Sequence, residues 1–60
     1  MTQPNRPTPR FTPADWVWTP ADWRGWILSA DYTDGAWTYQ VVKPNSERPL
    51  RYAEHELTEV

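Results

Sequence analysis

The 60-residue chain has no cysteine, a single histidine and two glycines. Without cysteine no disulfide can brace the fold, and His55 alone cannot build a structural zinc site of the Cys/His kind. Gly25 and Gly35 stand too far apart for a glycine-rich phosphate loop. No apolar run approaches the roughly 20 residues of a membrane span, and the opening residues hold no apolar segment of signal-peptide type. No membrane partner is therefore expected, and the cytoplasm is the default location. A basic excess is missing too. Six Lys and Arg against eight Asp and Glu leave a formal net charge of -2, whereas a general nucleic-acid binder presents a basic face. The balance is uneven: residues 1–14 carry Arg6 and Arg10 and no acid, and all eight acids fall in residues 15–60.

Aromatic residues are abundant. Five Trp, three Tyr and one Phe occur in 60 residues, and each ring can bury ~150–250 Å². A chain of this length buries only ~60% of the surface its unfolded form exposes, so its stability is marginal. Large side chains and partner chains are the remaining means of support. A core this small encloses only some of nine rings, and the others must reach the surface.

Residues 1–10 contain Pro4, Pro7 and Pro9 among polar side chains and read as a flexible, disordered Pro-rich arm, with the folded domain in residues 11–60. The Pro4 to Pro7 spacing also fits a PxxP ligand. Thr-Pro-Ala-Asp-Trp then occurs twice, at residues 12–16 and 19–23. Each copy has a helix-start pattern, with Thr as N-cap, Pro at the first position and Asp near the free amides. Pro20 would interrupt a helix through both, so each copy forms at most a single turn.

Strand signals dominate from Asp15 onward. Asp15–Trp18 is short and β-prone. Gly25–Tyr32 and Ala36–Val42 flank Thr33-Asp34-Gly35, a strong hairpin signal. Pro44–Pro49 is a turn by composition. A strand at Leu50–Tyr52, a helical turn at Ala53–Glu56 and a last strand at Leu57–Val60 complete an all-β order of five strands.

This order resembles an SH3-like small barrel with a short helical turn before its last strand. The resemblance rests on Phe11–Val17 as first strand, Gly25 and Ile27, Tyr39 and Val41, and Tyr52 with Leu57 and Val60. Within that class the chain resembles the plasmid-encoded type II dihydrofolate reductases. Trp23-Arg24-Gly25-Trp26-Ile27 is similar to their Trp-x-Gly-x-Ile, and Tyr39-Gln40-Val41 to their Tyr-x-Val. Their catalytic Val-Gln-Ile-Tyr would fall on Pro49-Leu50-Arg51-Tyr52, where only the tyrosine matches, and the pore lysine has no counterpart in Trp18-Thr19-Pro20. The resemblance therefore implies a fold and a habit of self-association, without the activity.

If Val17 and Ile27 face inward, Trp16, Trp18, Trp26 and Leu28 share an outer face. A contiguous apolar patch of this kind implies a contact. A distorted barrel would instead place Trp23, Trp26 and Trp37 at the ends of the core, and Trp37, which shares a strand face with Tyr39 and Val41, is the ring expected inside. A second binding element is a groove beside the first loop, walled by Trp18, Trp23 and Tyr52, with Asp15, Asp22 and Asp34 attracting a basic peptide.

Catalytic chemistry finds no constellation. Glu54, His55 and Glu56 sit in a tight turn where alternate side chains seldom converge, no serine neighbours the histidine, and Asp15 and Asp22 read as local caps. No catalytic residue, metal ligand or cofactor is assigned. The expectation is a small interaction module or accessory subunit that binds a protein or peptide partner, or itself as a homo-oligomer, through Trp16, Trp18, Trp23, Trp26, Leu28, Tyr52 and Asp22. Two alternatives stand beside it: a single-stranded nucleic-acid binder that stacks bases on its rings, and an oligomeric reductase with a shared pore.

Overall fold

A computed structural model of the chain describes residues 8–46 and 48–60. It contains β1 (Trp16–Trp18), β2 (Arg24–Thr33), β3 (Ala36–Val42), β4 (Leu50–Ala53), a 3-10 turn (Glu54–Glu56) and β5 (Thr58–Glu59). The strands pair antiparallel in one sheet of order β4-β3-β2-β1-β5. No ladder joins β4 to β5, so the sheet is open. No helix among the described residues is long and apolar enough to cross a membrane. Residues 1–7 of the expected arm lie outside the described residues, and so does Glu47 in the Pro44–Pro49 turn.

The β2–β3 hairpin follows directly from its turn. Asp34 and Gly35 have φ of 54° and 78°, and Thr33 pairs with Ala36, the arrangement of a two-residue turn with both central residues left-handed. Asp tolerates that region and Gly adopts it freely. The next turn uses Asn45 in the same way, at φ 69°, with the Ser46 amide donating to the Lys43 carbonyl at 3.0 Å.

The repeated Thr-Pro-Ala-Asp-Trp folds into two different turns and no helix. In the first copy the Asp15 amide donates to the Thr12 carbonyl at 3.0 Å, and Ala14 is left-handed at φ 79°, as a turn of the second type requires at its third residue. In the second, Asp22 donates to Thr19 at 3.0 Å and Thr19 donates to Trp23 at 2.9 Å. There the left-handed residue is Asp22, at φ 71°. A tight turn followed by one left-handed residue is a common way to close a hairpin, and Trp18 pairs with Arg24 across it. The helix-start reading fails because both segments are tied into the sheet. The Ala14 amide donates to the Ile27 carbonyl, and the Ile27 amide donates to the Asp15 carbonyl, each at 2.8 Å.

The first strand is also shorter than Phe11–Val17. Pro13 and the left-handed Ala14 end its extended run, and Phe11 reaches the core from a loop. Leu28 introduces another break. Ile27 pairs with Val41 and Ser29 with Gln40, so Leu28 is an extra residue in β2, a bulge that shifts the alternation by one. Gly25 and Ile27 face inward before it, and Ala30 and Tyr32 after it.

Phe11, Val17, Ile27, Tyr39, Val41 and Leu57 form the buried core, with Trp23, Ala30, Trp37 and Tyr52 packed around them. Gly25 makes this packing possible. A Cβ there would lie 2.4 Å from the Val42 carbonyl oxygen and 2.7 Å from the Trp23 ring, closer than van der Waals contact allows, so the indole of Trp23 fills the space a side chain would take.

Gly25→Ala should therefore cost about 2–3 kcal/mol through overpacking, a fall of more than ~10 °C in melting temperature for a domain of this size. Gly35→Asn, at a left-handed position with open space around it, should shift melting by only a few degrees in the same calorimetric scan.

Candidate partner-binding face

Strand alternation separates the aromatic residues onto two sides of the sheet. On the outer side, Trp16 pairs with Trp26, and Trp26 in turn with Val42, giving an apolar row across β1, β2 and β3. Trp18 pairs with Arg24 beside this row. Trp16 is 48% exposed, Trp18 41%, Leu28 43% and Val60 60%, while Trp26 is half-buried. The expected outer set Trp16, Trp18, Trp26 and Leu28 is thus on one face. Leu28 reaches it through the bulge, which places both Leu28 and Ser29 opposite Gln40.

The expected groove of Trp18, Trp23 and Tyr52 is not formed. Trp23 and Tyr52 lie on the core side, edge to face with centroids 6.2 Å apart, and the Lys43 ammonium sits 5.7 Å from the Trp23 ring centre. Trp18, one residue from inward-facing Val17, points away from them. The side-chain period of two in a strand puts adjacent residues on opposite faces, and Trp18 and Trp23 are five positions apart across a turn that preserves this. Asp22 is exposed at the tip of the β1–β2 loop, away from the apolar row on the strands.

The other carboxylates expected to draw a basic peptide are not gathered either. Asp15 turns back on its own segment, where Oδ2 accepts from the Thr12 amide at 2.9 Å and the Thr12 hydroxyl at 3.1 Å. Asp34 is in the hairpin turn at the far end of β2 and β3. The outer face changes character in that direction: Arg51 donates to Asp31 at 3.1 Å and to the Thr38 hydroxyl at 2.9 Å, and Ser29 donates to Gln40 at 2.9 Å. The apolar half of the face is therefore bounded by a hydrogen-bonded polar half.

Arg24 and Val60 belong to the apolar half and were not among the partner-binding residues expected from sequence. An open hollow of about 440 Å³ is lined by Trp16, Arg24 and Val60, and the Arg24 guanidinium lies 6.0 Å from the Trp18 ring centre. The signal for Arg24 was its place two residues before Trp26. Its significance depended on the register that sets it opposite Trp18.

Trp37 is half-buried. It packs against the core, stacks on Tyr39 at 6.4 Å and meets Tyr32 edge to face at 5.2 Å. Glu54, His55 and Glu56 diverge. Glu56 accepts from the Ala53 amide at 2.8 Å, His55 is exposed, and Glu54 Oε2 accepts from the Tyr39 hydroxyl at 2.6 Å and the Arg10 amide at 2.9 Å. Among the described residues no group of three or more His, Asp or Glu is placed to hold a metal.

The Tyr39–Glu54 bond shifts both groups. The hydroxyl donated by Tyr39 holds the Glu54 carboxyl below the usual carboxylate range, against an opposing effect of burial. Burial, reinforced by the bond to Glu54, raises Tyr39 above its usual value. Glu54 therefore stabilises the fold above the ordinary carboxylate range, and this is lost as pH falls through its lowered folded value. Tyr39 contributes below its ordinary value, and this is lost as pH rises through the raised one.

No protein-family model, curated protein or solved structure matches the chain. Its class therefore rests on its own geometry: a small all-β domain, one antiparallel sheet, with tryptophans exposed on its outer face.

Urea unfolding across pH should show a stability plateau between ~5 and ~10 with a decline on either side. Glu54→Gln should flatten the acid limb. Tyr39→Phe should flatten the alkaline limb and cost about 1–3 kcal/mol, because the Arg10 and Phe11 amides lose their acceptor.

Proposed function

We propose that the chain is a small non-catalytic interaction module that binds a protein or peptide partner through the outer face of its sheet. The observation that carries this reading is the exposure of Trp16 and Trp18 beside Trp26, Leu28, Val42 and Val60. Together they form one exposed apolar patch instead of scattered single rings, and contiguous patches are the ones that recruit partners. Tryptophan is also enriched at interface hot spots, where rigid rings bury much area at low entropic cost. The finer fold we propose for this sheet is the SH3-like small barrel.

Single-stranded nucleic acid is the weaker reading. Stacking rings are present, but a strand-tracking groove needs several cations, and of Arg10, Arg24, Lys43, Arg48 and Arg51 only Arg24 is in register with the exposed tryptophans. Arg51 is paired with Asp31, Lys43 lies over Trp23 on the core side, and Arg10 sits 5.1 Å from the Phe11 ring centre.

In affinity capture from the native lysate, with and without nuclease, Trp16→Ala and Trp26→Ala should each reduce retention of the partner by about tenfold or more, the scale of one hot-spot ring. Circular dichroism should show the fold intact, since neither ring is in the buried core. Nuclease-insensitive retention that both variants leave unchanged would refute the reading. Self-association through the same face predicts a sedimentation coefficient that rises with concentration in the wild type and stays constant in Trp16→Ala.

A further inference from the structure

Building on the interaction reading above, the geometry points to a particular partner chemistry: a peptide segment that presents a carboxylate beside an apolar side chain, with Arg24 receiving the carboxylate and the hollow between Trp16 and Val60 receiving the apolar group. The acidic chain as a whole, at net charge -2, gives the opposite expectation of a basic ligand. The local charge decides, because at ~8 Å screening length distant exposed acids contribute little to a contact.

Arg24 is the charged side chain that lines the hollow in the apolar half of the outer face. Its neighbours there are Trp16, Trp18, Trp26, Val42 and Val60. Among the described residues its guanidinium has no hydrogen-bond acceptor and no ion-pair partner, while Arg51, on the polar half, is satisfied by Asp31 and Thr38. The Trp18 ring lies near the guanidinium. A guanidinium held near a ring keeps its fork of N–H donors free, and that fork matches a carboxylate in two parallel bonds. The hollow has an apolar side formed by Trp16 and Val60 and this cationic wall. A bound apolar group would exclude water from the Arg24 contact, which strengthens the charge-assisted bond relative to an exposed pair.

One cation beside the hollow fits one carboxylate. A nucleic-acid strand carries a phosphate at every step, and its affinity grows with the number of phosphates neutralised. A peptide is therefore the ligand the charge distribution favours.

The test is selection from a displayed library of random dodecapeptides on the immobilised full chain, run in parallel on wild type, Arg24→Gln and Trp16→Ala, with titration of an oligo-dT single strand as a comparison. Wild type should enrich peptides that place aspartate or glutamate next to an aromatic or aliphatic residue. A synthetic peptide from that pool should bind about tenfold more weakly when its acid is replaced by the amide. Arg24→Gln should remove that tenfold difference while retaining apolar selection, and Trp16→Ala should remove both. Enrichment of apolar peptides without an acidic preference would overturn the carboxylate assignment and leave the interaction reading standing. Failure to enrich any peptide overturns the carboxylate assignment, and the capture experiment then decides the interaction reading separately. Oligo-dT binding tighter than that of any selected peptide, and weakened by Arg24→Gln, would also overturn it, in favour of nucleic acid.

Discussion

The Tyr39 side chain joins three parts of the chain that the sheet ladder does not connect. Its ring is fully buried in β3, and its hydroxyl donates to Glu54 in the 3-10 turn while accepting from the amides of Arg10 and Phe11. An open sheet of this length has no closing strand pair to hold its ends together, and a chain without cysteine has no disulfide to do so. The Tyr39 hydroxyl supplies that connection. It brings Phe11 edge to face onto the ring at 5.4 Å and seats the turn from which Leu57 enters the core. The Phe11 amide in this network is buried, so leaving it without its acceptor would cost more than the made bond contributes, and the hydroxyl couples that bond to the partly buried ones.

With the core satisfied from the inner side, the outer side is released from structural duty. Val17 and Ile27 bury their side chains, Gly25 accepts the Trp23 ring in place of its own, and these inward positions force Trp16, Trp18 and Trp26 outward on the intervening ones. The exposed tryptophans are therefore a consequence of a core that is already full. Nothing in the packing of this small domain requires large apolar side chains at those outward positions, which is why they read as a contact surface.

Much of this was legible in residue order. Asp34-Gly35 between two β-rich runs specified the hairpin, and Ala36–Val42 matches β3 residue for residue, because the turn chemistry acts over four residues and needs no distant partner. The outward direction of Trp16 and Trp18 followed from alternation about Val17. The errors arose where local pattern competes with long-range pairing. Thr-Pro-Ala-Asp is a sound helix start in isolation, yet both copies are held as turns by bonds to Ile27 and Trp23. The groove joining Trp18 to Trp23 and Tyr52 failed because side-chain direction is a property of register, and register across β1 and β2 is set by pairing rather than by nearness in sequence.

The residue order alone was enough to specify an all-β chain, its hairpin, a core too small for nine aromatic rings and hence a surplus at the surface, since these follow from local backbone preference and from the ratio of surface to volume. The tertiary structure alone decided that Leu28 is a bulge, that the identical pentapeptides adopt unlike turns, that Tyr39 closes the core through Glu54, and that Arg24 sits among the tryptophans without an acidic partner among the described residues. Each of these depends on which atoms meet across the sheet, and a strand carries no record of its neighbour until the two are paired.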